Sequence, residues 1–263
     1  AYIRVTQFQE RTGEDLAIAL KKLRTENKFA FNGIILDMRN NPGGLLNSSV
    51  AVSAAFLKEG DLVVYTEGRA PDSKMNLTTS PENFVRNNPE ENNFLKDLPS
   101  DIKDTPMVVL INNGSASASE IVAGALQDHK RALIVGTRSF GKGSVQSILP
   151  MMNGTAIKLT TARYFTPNGR SIQGKGIMPD IIVDDGLEKF AVRESDLNNR
   201  LSNPEDTKTK EIKPDLKEVK DGPTGNGSEA LRNFKPTKFG ESDDKQFMEA
   251  LNILKGIDLY QKD

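Results

Sequence analysis

An α/β domain built on a mostly parallel sheet is the fold class this sequence predicts. Short apolar runs recur at residues 33–37, 107–111 and 132–136. Runs of that length, rich in Ile, Val and Leu, suit strands buried on both faces. The first two are followed by stretches with helical spacing, 45–57 and 117–127, and strand-then-helix alternation is the pattern of parallel sheets. With 263 residues and 37% apolar content, the chain is long enough to bury a full core.

The first unit opens with a strand-like Tyr2-Ile3-Arg4-Val5. Residues 13–27 follow, with Leu16, Ile18, Ala19 and Leu23 spaced as on an amphipathic helix. Because the chain starts at Ala1 rather than Met, directly before that strand, it reads as a processed or excised piece. Residues 155–165 alternate β-branched and aromatic side chains, reach Pro167-Asn168-Gly169 and resume at Ser171-Ile172, which predicts an antiparallel hairpin turned by glycine. Residues 67–100 are rich in Asn, Pro, Ser and charge, and read as a long surface insertion near the active edge. The expected division is a core over 1–185, a polar linker over 186–243 and a C-terminal helix over 244–263, carried by Phe247, Leu251 and Leu254.

A net charge of −1 and the lack of an aromatic-interleaved basic stripe argue against a nucleic-acid partner. No apolar stretch approaches the roughly 18 residues of a membrane-spanning helix. His/Cys/Asp/Glu spacing suggests no metal, and residues 141–144 lack the full phosphate-loop pattern, so no cofactor is implied. The chain has one histidine and no cysteine, which narrows the options for nucleophilic catalysis.

A serine hydroxyl requires a neighbouring base. His129, at an expected helix end, reads as solvated, and a lysine stripped of water can substitute. Ser117 lies in Gly114-Ser115-Ala116-Ser117-Ala118-Ser119-Glu120, after a strand and at the start of a helix. There the Ala118 amide and the helix dipole favour a developing oxyanion. The plainer reading of Ser115, Ser117 and Ser119 is helix capping. Gly43, with Gly44 as its rival, stands after Asp37-Met38-Arg39-Asn40-Asn41-Pro42 and offers a second backbone donor, whereas Asp37 and Arg39 read as a structural pair. Lys142 is flanked by Gly141 and Gly143, which would let its side chain pack inward. Gln146 can orient it if the chain turns at Gly143, since an extended strand would part them by roughly 13 Å.

Four segments together, 36–44, 114–120, Ser139-Phe140-Gly141-Lys142-Gly143-Ser144-Val145-Gln146 and Arg163-Tyr164-Phe165-Thr166-Pro167-Asn168-Gly169, closely resemble the C-terminal processing peptidases, or tail-specific proteases, over about residues 2–183. The resemblance implies a Clp-protease/crotonase-like α/β core with a mostly parallel sheet, an antiparallel hairpin arm and a polar C-terminal extension. It implies a serine-lysine endopeptidase acting near the C-termini of proteins or peptides, with Ser117 as nucleophile, Lys142 as base and Gln146 orienting the lysine. Ala118 with Gly43 or Gly44 would form the oxyanion hole. It also implies an upstream PDZ domain, missing from this chain, and a periplasmic or envelope setting. A non-catalytic peptide-binding scaffold and a crotonase-like acyl-thioester enzyme are the alternatives. Lys142 discriminates: a scaffold has no need of a desolvated lysine, and the thioester enzyme would more naturally show a carboxylate base and a nucleotide pocket.

Overall fold

The computed structural model describes residues 1–69, 73–186, 188, 191–198, 201–203 and 238–261. A five-stranded, all-parallel sheet contains β1 (Tyr2–Arg4), β2 (Ile34–Asp37), β5 (Met107–Ile111), β6 (Leu133–Gly136) and β9 (Ile181–Ile182), in that spatial order. Beside it lies an antiparallel sheet of β4 (Met75–Thr78), β3 (Leu62–Gly68), β8 (Ala156–Phe165) and β7 (Ser144–Pro150).

Side chains of the parallel strands alternate between two apolar clusters, as the strand period of two requires. Ile34, Leu36, Val109, Ile111 and Ile134 face the larger cluster. There they meet α1 (Thr12–Asn27), α2 (Leu46–Ala54) and α3 (Ala118–Asp128). Ile35, Val108, Leu110 and Val135 face the smaller one, closed by Ala250 and Leu254 of α4 (Lys245–Gln261). Burying a leucine side chain such as Leu254 contributes about 1.5–3 kcal/mol, so the terminal helix is part of the body's packing. Leu254 also fills the space beside Gly33, where a Cβ would stand 2.8 Å from it.

The alternating core matches the sequence reading, with four differences. On α1 the buried stripe is Gly13, Leu16, Ala17 and Leu20, while Ile18 is exposed. The spacing of 13, 16, 17 and 20 is the true helical face, and the absent side chain of Gly13 lets α1 approach Ala51 of α2. The principal hairpin joins β7 to β8 through a turn at 151–154, closed by Met151 N–H donating to the Thr155 carbonyl at 2.8 Å. At the Pro167-Asn168-Gly169 turn there is a single bridge between Phe165 and Ser171. The insertion over 67–100 contributes β4 to the antiparallel sheet and buries Phe84 and Val85 in the core, so it is woven into the body. Finally, of the expected polar linker, residues 191–203 where described bind the core, with Glu194 N–H donating to the Phe140 carbonyl at 3.0 Å. Residues 204–237 of that linker lie outside the described residues.

Candidate active site

Three loops leave the C-terminal ends of β2, β5 and β6 and meet at one edge of the sheet, where open parallel sheets place their sites. The loops after β2 and β5 are stitched by side chains that finish what the strands leave open. Asn40, at φ 56°, donates its amide to Asn112 Oδ1 at 2.9 Å, and Asn112 Nδ2 returns a bond to Asn40 Oδ1 at 2.8 Å. Ser115 Oγ donates to the Met38 carbonyl at 2.8 Å, and Ser119 Oγ to the Asn41 carbonyl at 2.9 Å. Ser115 and Ser119 are buried and committed to these carbonyls. Ser117 between them is half-buried, so among the three serines it is the accessible one.

Ser117 sits before the first turn of α3 at φ 54°, ψ −110°. That backbone is sparsely populated for a residue with a Cβ and costs on the order of 1–3 kcal/mol, a cost borne where surrounding bonds over-determine the conformation. Glu120 supplies much of that determination. It is fully buried, and its carboxylate accepts from Ser117 N–H at 2.8 Å, Lys142 N–H at 2.9 Å, Gly141 N–H at 2.6 Å and Ser139 Oγ at 2.6 Å. The first two end on the same oxygen, Oε2, so one atom pins the backbones of the serine and lysine loops together. Phe140 N–H adds a bond to the Ser115 carbonyl at 3.0 Å. Burial pushes the Glu120 carboxyl up to about 7, and the four donors restrain it from rising further.

The glycine turn abuts the Ser117 loop. A Cβ on Gly43 would stand 2.8 Å from Ala118 N and 2.9 Å from Ser117 Cβ, and Gly43 and Gly44 both hold positive φ. At Gly44 a Cβ would fall 1.9 Å from the Phe8 carbonyl oxygen, which no rearrangement of side chains could relieve. The Gly43 amide donates to Asn41 Oδ1 at 2.9 Å. Neither the Gly44 nor the Ala118 amide has an acceptor among the described residues, and Ala118 opens its helix, whose first amides have no partner carbonyl within it.

Lys142 is half-buried. Its flanking glycines serve the backbone: Gly174 N–H donates to the Gly141 carbonyl at 2.8 Å, and a Cβ on Gly143 would stand 2.3 Å from Gln173 N. They therefore admit the 172–176 loop, where the sequence suggested room for an inward-packed lysine. Among the described residues the Lys142 ammonium has no hydrogen-bond or ion-pair partner. Gln146 is exposed on the edge strand β7, next to a register shift between Val145 and Gln146, and it too makes no side-chain hydrogen bond there. His129 lies at the far end of α3, with Nε2 2.7 Å from the Leu62 carbonyl, roughly 18 Å along the helix from Ser117 at 1.5 Å per residue.

Glu120 lies within the serine motif but is not among the residues to which the sequence assigns a role. The signal was present in Ser117-Ala118-Ser119-Glu120, the S-x-x-E spacing in which a glutamate reaches back to the residue before a helix. Asp37 and Arg39 are a structural pair, bidentate and buried, with Arg39 Nη2 2.6 Å from Asp37 Oδ2 and Nε 3.0 Å from Oδ1. No group of three or more His, Cys, Asp or Glu among the described residues is arranged to hold a metal.

The model of peptidase family S41 matches residues 1–183. The carboxy-terminal-processing protease of Bartonella bacilliformis is 41% identical over 257 residues, covering 97% of this chain and 52% of the relative. A carboxyl-terminal-processing protease of Synechocystis is 40% identical over 190 residues, covering 72% and 39%. The chain thus spans about half or less of the length of these relatives. Among solved structures, the photosystem II D1 C-terminal processing protease superposes with a TM-score of 0.55 at 34% identity, over 71% of this chain and 42% of that one. An S41 protease of Bacteroides fragilis superposes with a TM-score of 0.62 over 97% and 54%, and at 16% identity it speaks to the fold alone. The family match spans all three loops of the site, from the glycine turn to the lysine, and the chain belongs to peptidase family S41.

Proposed function

We propose that this chain is the catalytic core of a serine endopeptidase that cleaves protein substrates near their C-termini, with Ser117 as nucleophile and Lys142 as general base. The observation that carries the reading is the shared Glu120 oxygen, which holds the serine and lysine loops against each other. The strain at Ser117, its accessibility between two committed serines and the apposed glycine turn add support. Ser117 Oγ attacks the peptide carbonyl as the uncharged Lys142 amine takes its proton. The tetrahedral oxyanion then collapses, the C–N bond breaks and the lysine hands that proton to the leaving amine. Water attacks the acyl-enzyme with the same lysine as base, releasing the acid and freeing Ser117.

The Ala118 amide is the first oxyanion donor in this reading. The second comes from the Gly43-Gly44 turn, where Gly44 has no acceptor to give up among the described residues and Gly43 would have to leave Asn41 Oδ1. Since Lys142 and Gln146 have no side-chain partner among the described residues, this reading requires substrate binding to bring the lysine to Ser117 and Gln146 to the lysine, a tightening common on complex formation. An upstream PDZ domain and a periplasmic or envelope setting go with this reading. Among the described residues no helix is long and apolar enough to cross a membrane.

The test is cleavage of an unfolded protein, with products identified by mass. Ser117→Ala and Lys142→Ala should abolish it, and Lys142→Arg should as well, because guanidinium does not release its proton in this range. His129→Ala should retain it. Turnover surviving in Ser117→Ala or Lys142→Ala would remove the mechanism.

A further inference from the structure

Arg39 is 2% exposed, and so buried a guanidinium requires opposing charge and a full set of acceptors. Asp37, two residues back on β2, fills one side of its fork. The other side is filled from the far end of the chain: Nη1 donates to Asp244 Oδ1 at 2.7 Å and to Gln246 Oε1 at 3.1 Å, and Nη2 to Asp244 Oδ2 at 2.6 Å. Asp244 also accepts from Phe247 N–H at 3.1 Å and Gly240 N–H at 3.0 Å, so it begins α4 as it binds Arg39. Phe239 closes the top, its ring 4.5 Å from the Arg39 guanidinium carbon and 3.9 Å from that of Arg4.

Arg39 is directly followed by Asn40, Asn41, Pro42, Gly43 and Gly44. It is the last anchored side chain before the turn that faces Ser117, and that turn depends on the positive φ of Asn40 and on Asn41 bonds to Val5, Gly43 and Ala116. The family match ends at residue 183, so the carboxylate that completes the anchor comes from beyond the matched region.

We propose that Asp244 is a positioning residue for the reaction: by completing the carboxylate pair around Arg39, it lets the C-terminal helix fix the glycine turn in the register that the oxyanion requires. The inference rests on the peptidase reading given above. An Arg39 without Asp244 keeps Asp37 and the neutral Gln246 oxygen but loses its second carboxylate, which loosens the guanidinium and with it the Asn40–Gly44 backbone. Such a shift weakens binding of the transition state while leaving substrate contacts elsewhere intact, so it enters kcat rather than KM.

The test compares full-length Asp244→Ala, Asp244→Asn and Leu254→Ala with the parent chain, measuring kcat, KM and melting temperature. Leu254 packs α4 on the sheet ten residues beyond Asp244, roughly 15 Å along the helix at 1.5 Å per residue, which separates docking of the helix from anchoring of the turn. Asp244→Ala should lose about tenfold or more in kcat with KM within about twofold, on the scale of a small misplacement of reacting groups. Leu254→Ala should lower the melting temperature at least as far and keep kcat within about twofold when assayed well below melting. If Asp244→Ala does not fold, Asp244→Asn, which keeps one acceptor for Arg39, should fold and carry a smaller loss in kcat. The inference is overturned if a folded Asp244 variant keeps full kcat, or if Leu254→Ala loses as much kcat as Asp244→Ala. A dead Ser117→Ala beside an unimpaired Asp244→Ala sinks this inference alone, whereas an active Ser117→Ala sinks the peptidase reading itself.

Discussion

Glu120 and Asp244 are both buried carboxylates that hold a backbone turn of the same site, yet their surroundings move them in opposite directions. Glu120 meets neutral donors, three amides and a hydroxyl. Burial dominates there, and its carboxyl rises to about 7. For Asp244 burial also favours the neutral form, but the Arg39 guanidinium and two amides more than offset it and hold the carboxyl below its usual range. Arg39 in turn is held well above its usual value, since the two carboxylates outweigh its own burial. A full complement of hydrogen bonds is therefore no substitute for an opposite charge. The Glu120 centre is poised to change protonation near neutrality, and the Arg39 centre is locked in its ionic form.

The contrast is broken most severely at Glu120. Glu120→Ala removes both oxygens and the four hydrogen bonds they accept, and frees the serine and lysine loops from each other, so cleavage should fall by about a hundredfold or more, the scale of an ångström-sized misplacement, in a kcat/KM assay. At the other centre, Arg39→Met leaves Asp37 and Asp244 buried without their cation. Unfolding by urea should show a loss of about 3–5 kcal/mol. A protein unaffected by that change would mean the pair is not held as described.

Proton linkage sharpens the same comparison. The folded-state value of Glu120, about 7, lies above its ordinary 4.5, so its contribution is fully present below 4.5 and is lost as pH rises through 7. That contribution is on the order of 3 kcal/mol, and the melting temperature should decline between pH 5 and 8 in the parent chain and stay flatter in Glu120→Gln. Activity should run the other way, rising over that interval, because the protonated acid has one fewer acceptor for the Ser117 and Lys142 amides. Asp244 has the opposite sign: its depressed value adds stability above its ordinary 3.8 that is lost as pH falls further. The smallest effect belongs to the β7–β8 arm. Met152 is fully exposed at its turn, so Met152→Ser should change stability by no more than about 0.5 kcal/mol in the same unfolding assay.

Most of the parallel core was legible because the strands at 34–37, 107–111 and 133–136 are continuous apolar runs with little alternative. The antiparallel sheet was harder to read. Strand β8 is exposed along its first half, so its alternation follows no single buried face, and its partner β7 begins within a motif valued for Lys142. In the site, the serine, lysine and glycine turns could be named from small residues after strands. Of the residues that hold them, Glu120 left a trace in its S-x-x-E spacing, whereas Asn41, Asn112 and Gln173, whose Oε1 accepts from Gly143 N–H at 3.1 Å, left none, because a polar residue near a strand end looks the same in sequence whether it is solvated or buried. Asp244 was beyond reach for another reason: it meets Arg39 across 205 positions of chain, and no local pattern encodes that contact.

Covalent labelling tests the central pairing of Ser117 with Lys142 most directly. An intact-mass time course with a serine-directed fluorophosphonate should give a single adduct, mapped to Ser117, in the parent chain and essentially none over the same period in Lys142→Arg. An adduct on another residue, or labelling of Lys142→Arg at the parental rate, would contradict the account.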